Sequence, residues 1–250
     1  MSGHSKWSSI KHKKGKIDAK RGQLFTKLAR DITMAARGGV DPEMNASLRL
    51  AISKAKDSNM PHANIERAIQ RGSRDGDADN LEEVTYEGYG PGGTAVLVDA
   101  VTDNRNRTVA ELRLVFSRGG GNLAENGAVA WQFETMGVIH VSTVDSDPDE
   151  VQLVAIEVGA FDVEESTDGS AIEVYTQPGS TESVREALTS AGFKVESADL
   201  AKIPQNNVEL EEATAVATLR MLERLDDLDD VSKVHSNAVF TDAVLEAAAG

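Results

Sequence analysis

The chain contains no cysteine, and that absence removes disulfides, thiolate nucleophiles and Cys-ligated zinc together. No run of residues approaches the roughly 18 consecutive apolar positions of a membrane span. The N-terminus is basic but has no apolar stretch of the kind a signal peptide needs, and Ser2 rather than Gly follows Met1, which excludes N-myristoylation. The expectation is a cytoplasmic protein with no membrane partner. Catalytic patterns are missing too. The five histidines, at 4, 12, 62, 140 and 235, have no HExxH or other metal-ligand spacing. Gly3-His4-Ser5-Lys6-Trp7 lacks both the preceding strand and the final Gly of a nucleophile elbow. No acid, base and nucleophile come together, so the chain is expected to be no enzyme and to use no metal, cofactor or small-molecule substrate.

Cations are scarce over most of the chain and dense at its start. Residues 75–250 hold 10 Lys/Arg against 35 Asp/Glu, a net of −25, whereas residues 1–74 hold 16 against 6, a net of +10. Gly3 to Arg30 alone carries nine cations and one acid, Asp18. Such segregation within one chain points to an anionic partner for the basic part. The acidic remainder repels a polyanion, so contact should be one-ended.

Periodicity divides the chain into three. Residues 1–16 read as an extended basic arm. From Asp18 onward, Leu24, Phe25, Leu28, Ile32 and Ala35 fall at helical spacing, and Gly38-Gly39 ends that helix. Asp41-Pro42 reads as the cap and first position of a second helix with a stripe of Met44, Leu48, Ala51, Ile52 and Ala55. A third helix follows Pro61. Residues 75–80 are polar and linker-like. Beyond them, two extended runs flank Gly90-Pro91-Gly92-Gly93, a helix covers about 105–117, and Val129, Trp131 and Phe133 alternate as in a half-buried strand. Residues 137–203 give the order β-α-β-β-α-β, the ferredoxin-like unit. The helix at about 211–225 and the strand at 231–239 would complete the earlier β-β-α-β run. The fold class expected is therefore α+β, with a helical N-terminal bundle (1–80) and two ferredoxin-like α/β sandwiches. One sandwich is discontinuous (81–136 and 204–250), with the other (137–203) nested in it.

The arm is the first candidate site. Lys6, Lys11, Lys13, Lys14, Lys16, Lys20, Arg21, Lys27 and Arg30 can neutralise phosphates and release counterions. Trp7 and His12 lie among them and can stack on exposed bases. A second candidate is Asn104, Arg105 and Arg107, where two cations stand in the first turn of a predicted helix, the end at which the helix dipole disfavours them. Two readings stay open there: an anion held by guanidinium groups and backbone N–H groups, or a local arrangement in which Asp103 neutralises an arginine and Asn104 only caps. The GxGxxG of Gly88, Gly90 and Gly93 is followed by a strand rather than a helix, so a close-packed turn fits better than a dinucleotide loop. Tyr86 and Tyr89 beside it are a candidate contact surface. Asp226-Asp227-Leu228-Asp229-Asp230 reads as a solvated acidic connection.

Taken together, GHSKW, KRGQLFTKLARDI, AISKAKDSNMP, IERAIQRG, YEGYGPGGTAVLVDAVTDNRNRTVAELR and GGNLAENGAVAWQF resemble the YebC/PmpR family over essentially the whole chain. The family also includes a mitochondrial translational activator. One departure is Thr102, where the family pattern would have Ser. With GHSKW starting at residue 3 there is no room for a presequence, so the chain resembles the bacterial form. The resemblance implies a three-domain α+β protein with a helical N-terminal domain, acting as a non-enzymatic regulator of gene expression. Its common family label is DNA-binding transcriptional regulator. The alternative it implies is a ribosome-associated translation factor that binds ribosomal or transfer RNA and relieves stalling. No helix-turn-helix or other base-reading motif is evident, and a lysine-rich arm that grips backbones suits either target.

Overall fold

The computed structural model describes residues 18–73, 80–166 and 169–249. Three helices come first: α1 (Asp18–Ala36), α2 (Ala46–Asp57) and α3 (His62–Gly72). Their apolar stripes meet in one core of Leu28, Ile32, Ala36, Leu48, Ala55, Met60, Ile65 and Ala68. Helix α3 packs closely on α1. A Cβ at Gly72 would stand 2.1 Å from the Thr33 carbonyl oxygen, and the Thr33 hydroxyl donates to the Ala68 carbonyl at 3.1 Å.

The second helix starts later than Asp41-Pro42 suggests. Asn45 is its cap, accepting from the Leu48 N–H at 3.0 Å and donating to the Ala35 and Gly39 carbonyls. Asp41 instead closes the preceding turn by accepting from the Glu43 N–H. Asn45 prevails because one amide satisfies the end of α1 and the start of α2 together. Met44 consequently falls outside the helix and is 86% exposed.

Two four-stranded antiparallel sheets follow. The first holds β1 (Glu82–Tyr89), β2 (Ala95–Thr102), β3 (Asn122–Leu123) and β8 (Val231–Ser236) in the order β3-β1-β2-β8. The β1–β2 hairpin sits at its centre, turning through Gly90-Pro91-Gly92-Gly93, where Gly92 takes φ +71°. Helices α4 (Arg105–Arg118) and α7 (Glu212–Asp226) cover one face. Leu112 and Phe116 of α4 and Leu219 and Leu222 of α7 are buried there against Val96, Val98 and Val234, with α8 (Asp242–Ala249) at the edge.

The second sheet is built from β4 (Phe133–Ser142), β5 (Asp162–Glu165), β6 (Ala171–Thr176) and β7 (Val195–Pro204) in the order β5-β6-β4-β7. With α5 (Pro148–Glu157) and α6 (Thr181–Ser190) on one face, it has the β-α-β-β-α-β connectivity of the ferredoxin-like unit. Leu50 of α2 reaches that same core.

Val129, Trp131 and Phe133 do not form the alternating strand expected of them. Ala130–Gln132 is a tight helical turn, and β4 begins at Phe133. The physical reason is Glu87. Its buried carboxylate accepts from the N–H groups of Gly127, Val129 and Ala130 at 2.6, 2.7 and 2.8 Å. Those donors are therefore lost to any strand ladder. The turn leaves Trp131 67% exposed.

Candidate nucleic-acid interface

Of the arm residues, Lys6, Trp7, Lys11, His12, Lys13, Lys14 and Lys16 lie outside the described residues. Lys20 and Arg21 fall on the first turn of α1, but their side chains lie outside the description too. Lys27 and Arg30 are described, and both turn inward. Gln23, Lys27, Arg30 and Asp31 share one face of α1 at helical spacing, and that face docks on the turn between α7 and β8. Gln23 donates to the Asp229 carboxylate at 3.3 Å. The Lys27 ammonium donates to the Asp226 carbonyl. Arg30 donates to the Asp229 carbonyl at 2.5 Å and pairs with Asp230 at 3.2 Å. Asp31 accepts from the Ser232 hydroxyl. Cations are drawn here by carboxylates and by the carbonyls left unsatisfied at the C-terminus of α7.

The acidic connection is thus not a solvated one throughout. Asp230 is only 3% exposed. Its carboxylate accepts from the Thr102 and Thr108 hydroxyls at 3.0 and 2.8 Å and from Arg107 at 2.7 Å, while its other oxygen faces Arg30. Burial alone would push this carboxyl up. The hydrogen bonds from Arg107, Thr108 and Thr102 more than reverse that and hold it below the ordinary carboxylate range. The Thr102 hydroxyl that makes the contact is the group a Ser would share.

The second candidate site lies on the same cluster. Asn104 caps α4 by accepting from the Arg107 N–H at 3.1 Å. Arg107 pairs with Asp103 at 2.9 Å and with Asp230, and Arg105 pairs with Glu82 at 2.5 Å. The contacts present are those of the local reading, and an anion at this helix start competes with three carboxylates. Tyr86 and Tyr89 offer less surface than expected. Tyr86 is buried in the core beneath the helices, and the half-buried Tyr89 donates its hydroxyl to the Ala128 carbonyl at 3.1 Å.

Sequence reasoning gave no sign of two further charge clusters that join the units. Lys202 of β7 donates to Thr85 and Asp99 of the first sheet, and its N–H donates to His235 Nδ1 at 3.3 Å. With Nδ1 accepting, the proton sits on Nε2, which donates to Asp99 at 3.1 Å. Burial pulls the His235 imidazole below its ordinary value, against the opposing pull of Asp99. In the other cluster, Asp199 of β7 accepts from Lys54 of α2 at 2.7 Å and from Lys233 of β8 at 2.6 Å. Each contact spans 33 residues or more of sequence, so no local pattern announces it.

Comparison with known proteins places this arrangement. The TACO1/YebC protein N-terminal domain matches residues 5–75, and the TACO1/YebC second and third domain matches residues 81–238. The chain belongs to the TACO1/YebC family. A probable transcriptional regulatory protein of Dehalococcoides mccartyi (strain CBDB1) is 54% identical over 247 residues, covering 98% of each chain. Another from Desulfosudis oleivorans is 53% identical over 248 residues, covering 99% of this chain and all of that one. The crystal structure of a conserved hypothetical protein from Aquifex aeolicus is similar with a TM-score of 0.84 and 46% identity, over 92% of this chain and 94% of that one. Among the described residues of this TACO1/YebC chain, no helix is long and apolar enough to cross a membrane, and no group of three or more His, Asp or Glu is placed to hold a metal ion.

Proposed function

We infer that the protein is a cytoplasmic, non-enzymatic regulator of gene expression that grips nucleic acid by its backbone through the cationic N-terminal end, with DNA as the partner. The observation that carries this is charge segregation: a net of +10 in residues 1–74 against −25 in the remainder. The contacts of Lys27 and Arg30 refine the reading. These two cations tie α1 to the acidic turn, leaving the nucleic-acid role to Lys6, Trp7, Lys11, His12, Lys13, Lys14, Lys16, Lys20 and Arg21. The relatives' names, which call them probable transcriptional regulatory proteins, favour DNA over ribosomal RNA. An arm that reads no bases confers little sequence preference, so binding should be strongly salt-dependent and weakly sequence-dependent.

The test is crosslinking in cells followed by sequencing of the attached DNA and RNA. Enrichment of DNA supports the transcriptional reading. Enrichment of ribosomal or transfer RNA overturns it in favour of a ribosome-associated translation factor.

A further inference from the structure

The acidic part of the chain is not uniformly poor in cations. Residues 75–250 contain ten Lys or Arg, and six of them, Arg105, Arg107, Arg113, Arg118, Arg220 and Arg224, lie on α4 and α7. Arg105 and Arg107 are held by carboxylates. The other four are exposed and have no hydrogen-bond or ion-pair partner among the described residues. In a chain of net −15, these four arginines form a cationic layer that no carboxylate among the described residues pairs with.

Helices α4 and α7 lie side by side on the first sheet. A Cβ at Gly119, just past the end of α4, would meet Met221 of α7, and at the other end Thr108 bonds Asp230, just past the end of α7. The pair is therefore antiparallel, with Leu112, Phe116, Leu219 and Leu222 turned to the sheet. Arg220 and Arg224 stand one turn apart, about 6 Å along the axis, opposite the buried Leu222. Arg113 and Arg118 flank the exposed Leu114 on α4. Apart from Leu114, the exposed positions between them are small, Ala110, Ser117, Ala213 and Ala217, and none is aromatic. Glu111, Glu223 and Asp226 are half-buried at the flanks, and Glu212 is confined to the first turn of α7.

This layer adjoins the basic end. The Asp226 carbonyl that takes the Lys27 ammonium is two residues from Arg224. We propose that the outer face of α4 and α7, through Arg113, Arg118, Arg220 and Arg224, is a second contact surface for the phosphate backbone of duplex DNA, beside the face of α1 that carries Lys27. The chemistry fits a backbone: guanidinium groups pair with phosphate oxygens, small residues between them allow close approach, and the lack of aromatics leaves no platform for unstacked bases. The proposal rests on the nucleic-acid reading of the arm and adds a location for the rest of the duplex.

The experiment is fluorescence anisotropy of a labelled random-sequence DNA duplex with the full chain over a series of salt concentrations. Each engaged cation contributes about 0.9 to the slope of log K against log salt. Changing Arg113, Arg118, Arg220 and Arg224 together to Gln should make the slope shallower by about 2 to 4, while the fourfold Lys variant keeps it. All four side chains are exposed, and matching thermal melts confirm the fold. An unchanged slope in the Gln variant, with binding still abolished by K11E/K13E/K14E, overturns this surface and leaves the arm reading standing. If the unaltered chain ignores the DNA duplex, or binds an RNA hairpin in its place, the DNA proposal falls together with the arm's partner.

Discussion

Asp230 is the residue on which the most separate parts of the chain converge: Thr102 from β2, Arg107 and Thr108 from α4, and Arg30 from α1. Removing a buried charge that satisfies two buried hydroxyls and two guanidinium groups is expected to cost about 2–4 kcal/mol, so Asp230→Ala should lower the urea midpoint markedly. Thr102→Ser should leave it nearly unchanged, since the bonding hydroxyl is retained. Thr102→Val should cost about 1 kcal/mol. A Val variant indistinguishable from the parent would remove Thr102 from the cluster.

His235 gives the molecule a signed response to pH. Folded, its imidazole is neutral and held below its ordinary value by burial, with Lys233 and Lys202 adding to the cost of a second proton and Asp99 opposing. The unfolded chain therefore binds more protons as pH falls below about 6.5, and stability declines from there toward the folded value. Denaturant titrations at pH 7.5 and 5.5 should reveal this loss, and His235→Asn should flatten it. An identical pH dependence in the variant would assign the titration elsewhere. The depressed carboxyls of Asp99, Asp199, Asp230 and Glu87 act lower, their contribution being lost only as pH falls below about 4.

At the scale of elements, the Glu87 carboxylate organises the whole segment 124–132 by binding three of its N–H groups. Glu87→Gln replaces one acceptor with a donor facing donors. Amide exchange of Gly127, Val129 and Ala130 should accelerate, and Trp131 fluorescence should change. Unaltered exchange would refute this role. This segment also marks where sequence patterns stop being informative. The alternation of Val129, Trp131 and Phe133 resembles a strand, and only a carboxylate about 40 positions away diverts it. The same holds for Asn45, whose capping role depends on bonds back to Ala35 and Gly39. By contrast, the three helices, the hairpin around Gly90-Pro91-Gly92-Gly93 and the β-α-β-β-α-β order were legible, because amphipathic period and turn glycines are local.

At the scale of the whole molecule, charge does two jobs. Pairs such as Lys54–Asp199–Lys233 and Lys202–Asp99 join the helical unit and the two sheets, whereas Arg113, Arg118, Arg220 and Arg224 stand outside such pairs among the described residues. Which Lys or Arg belongs to which group could not be read from the sequence: Lys27 and Arg30 sit in the same basic run as Lys20 and Arg21, yet their partners are about 200 positions away. Asp199→Ala leaves Lys54 and Lys233 facing each other. With these side chains about a third exposed, the loss should be about 1–2 kcal/mol after allowing for solvent screening. It should be read as easier proteolysis between the units, and unchanged proteolysis would demote the cluster to decoration.

The central claim is that binding of the polyanion depends on the cations of the first residues, to which the outer arginines of α4 and α7 only add. Its most direct test is the salt dependence of DNA-duplex binding by the full chain against K11E/K13E/K14E. The predicted result is a steep negative slope, about −0.9 for each phosphate neutralised, with binding lost in the variant at the same thermal stability. Equal affinity and an equal slope for the two proteins would contradict it.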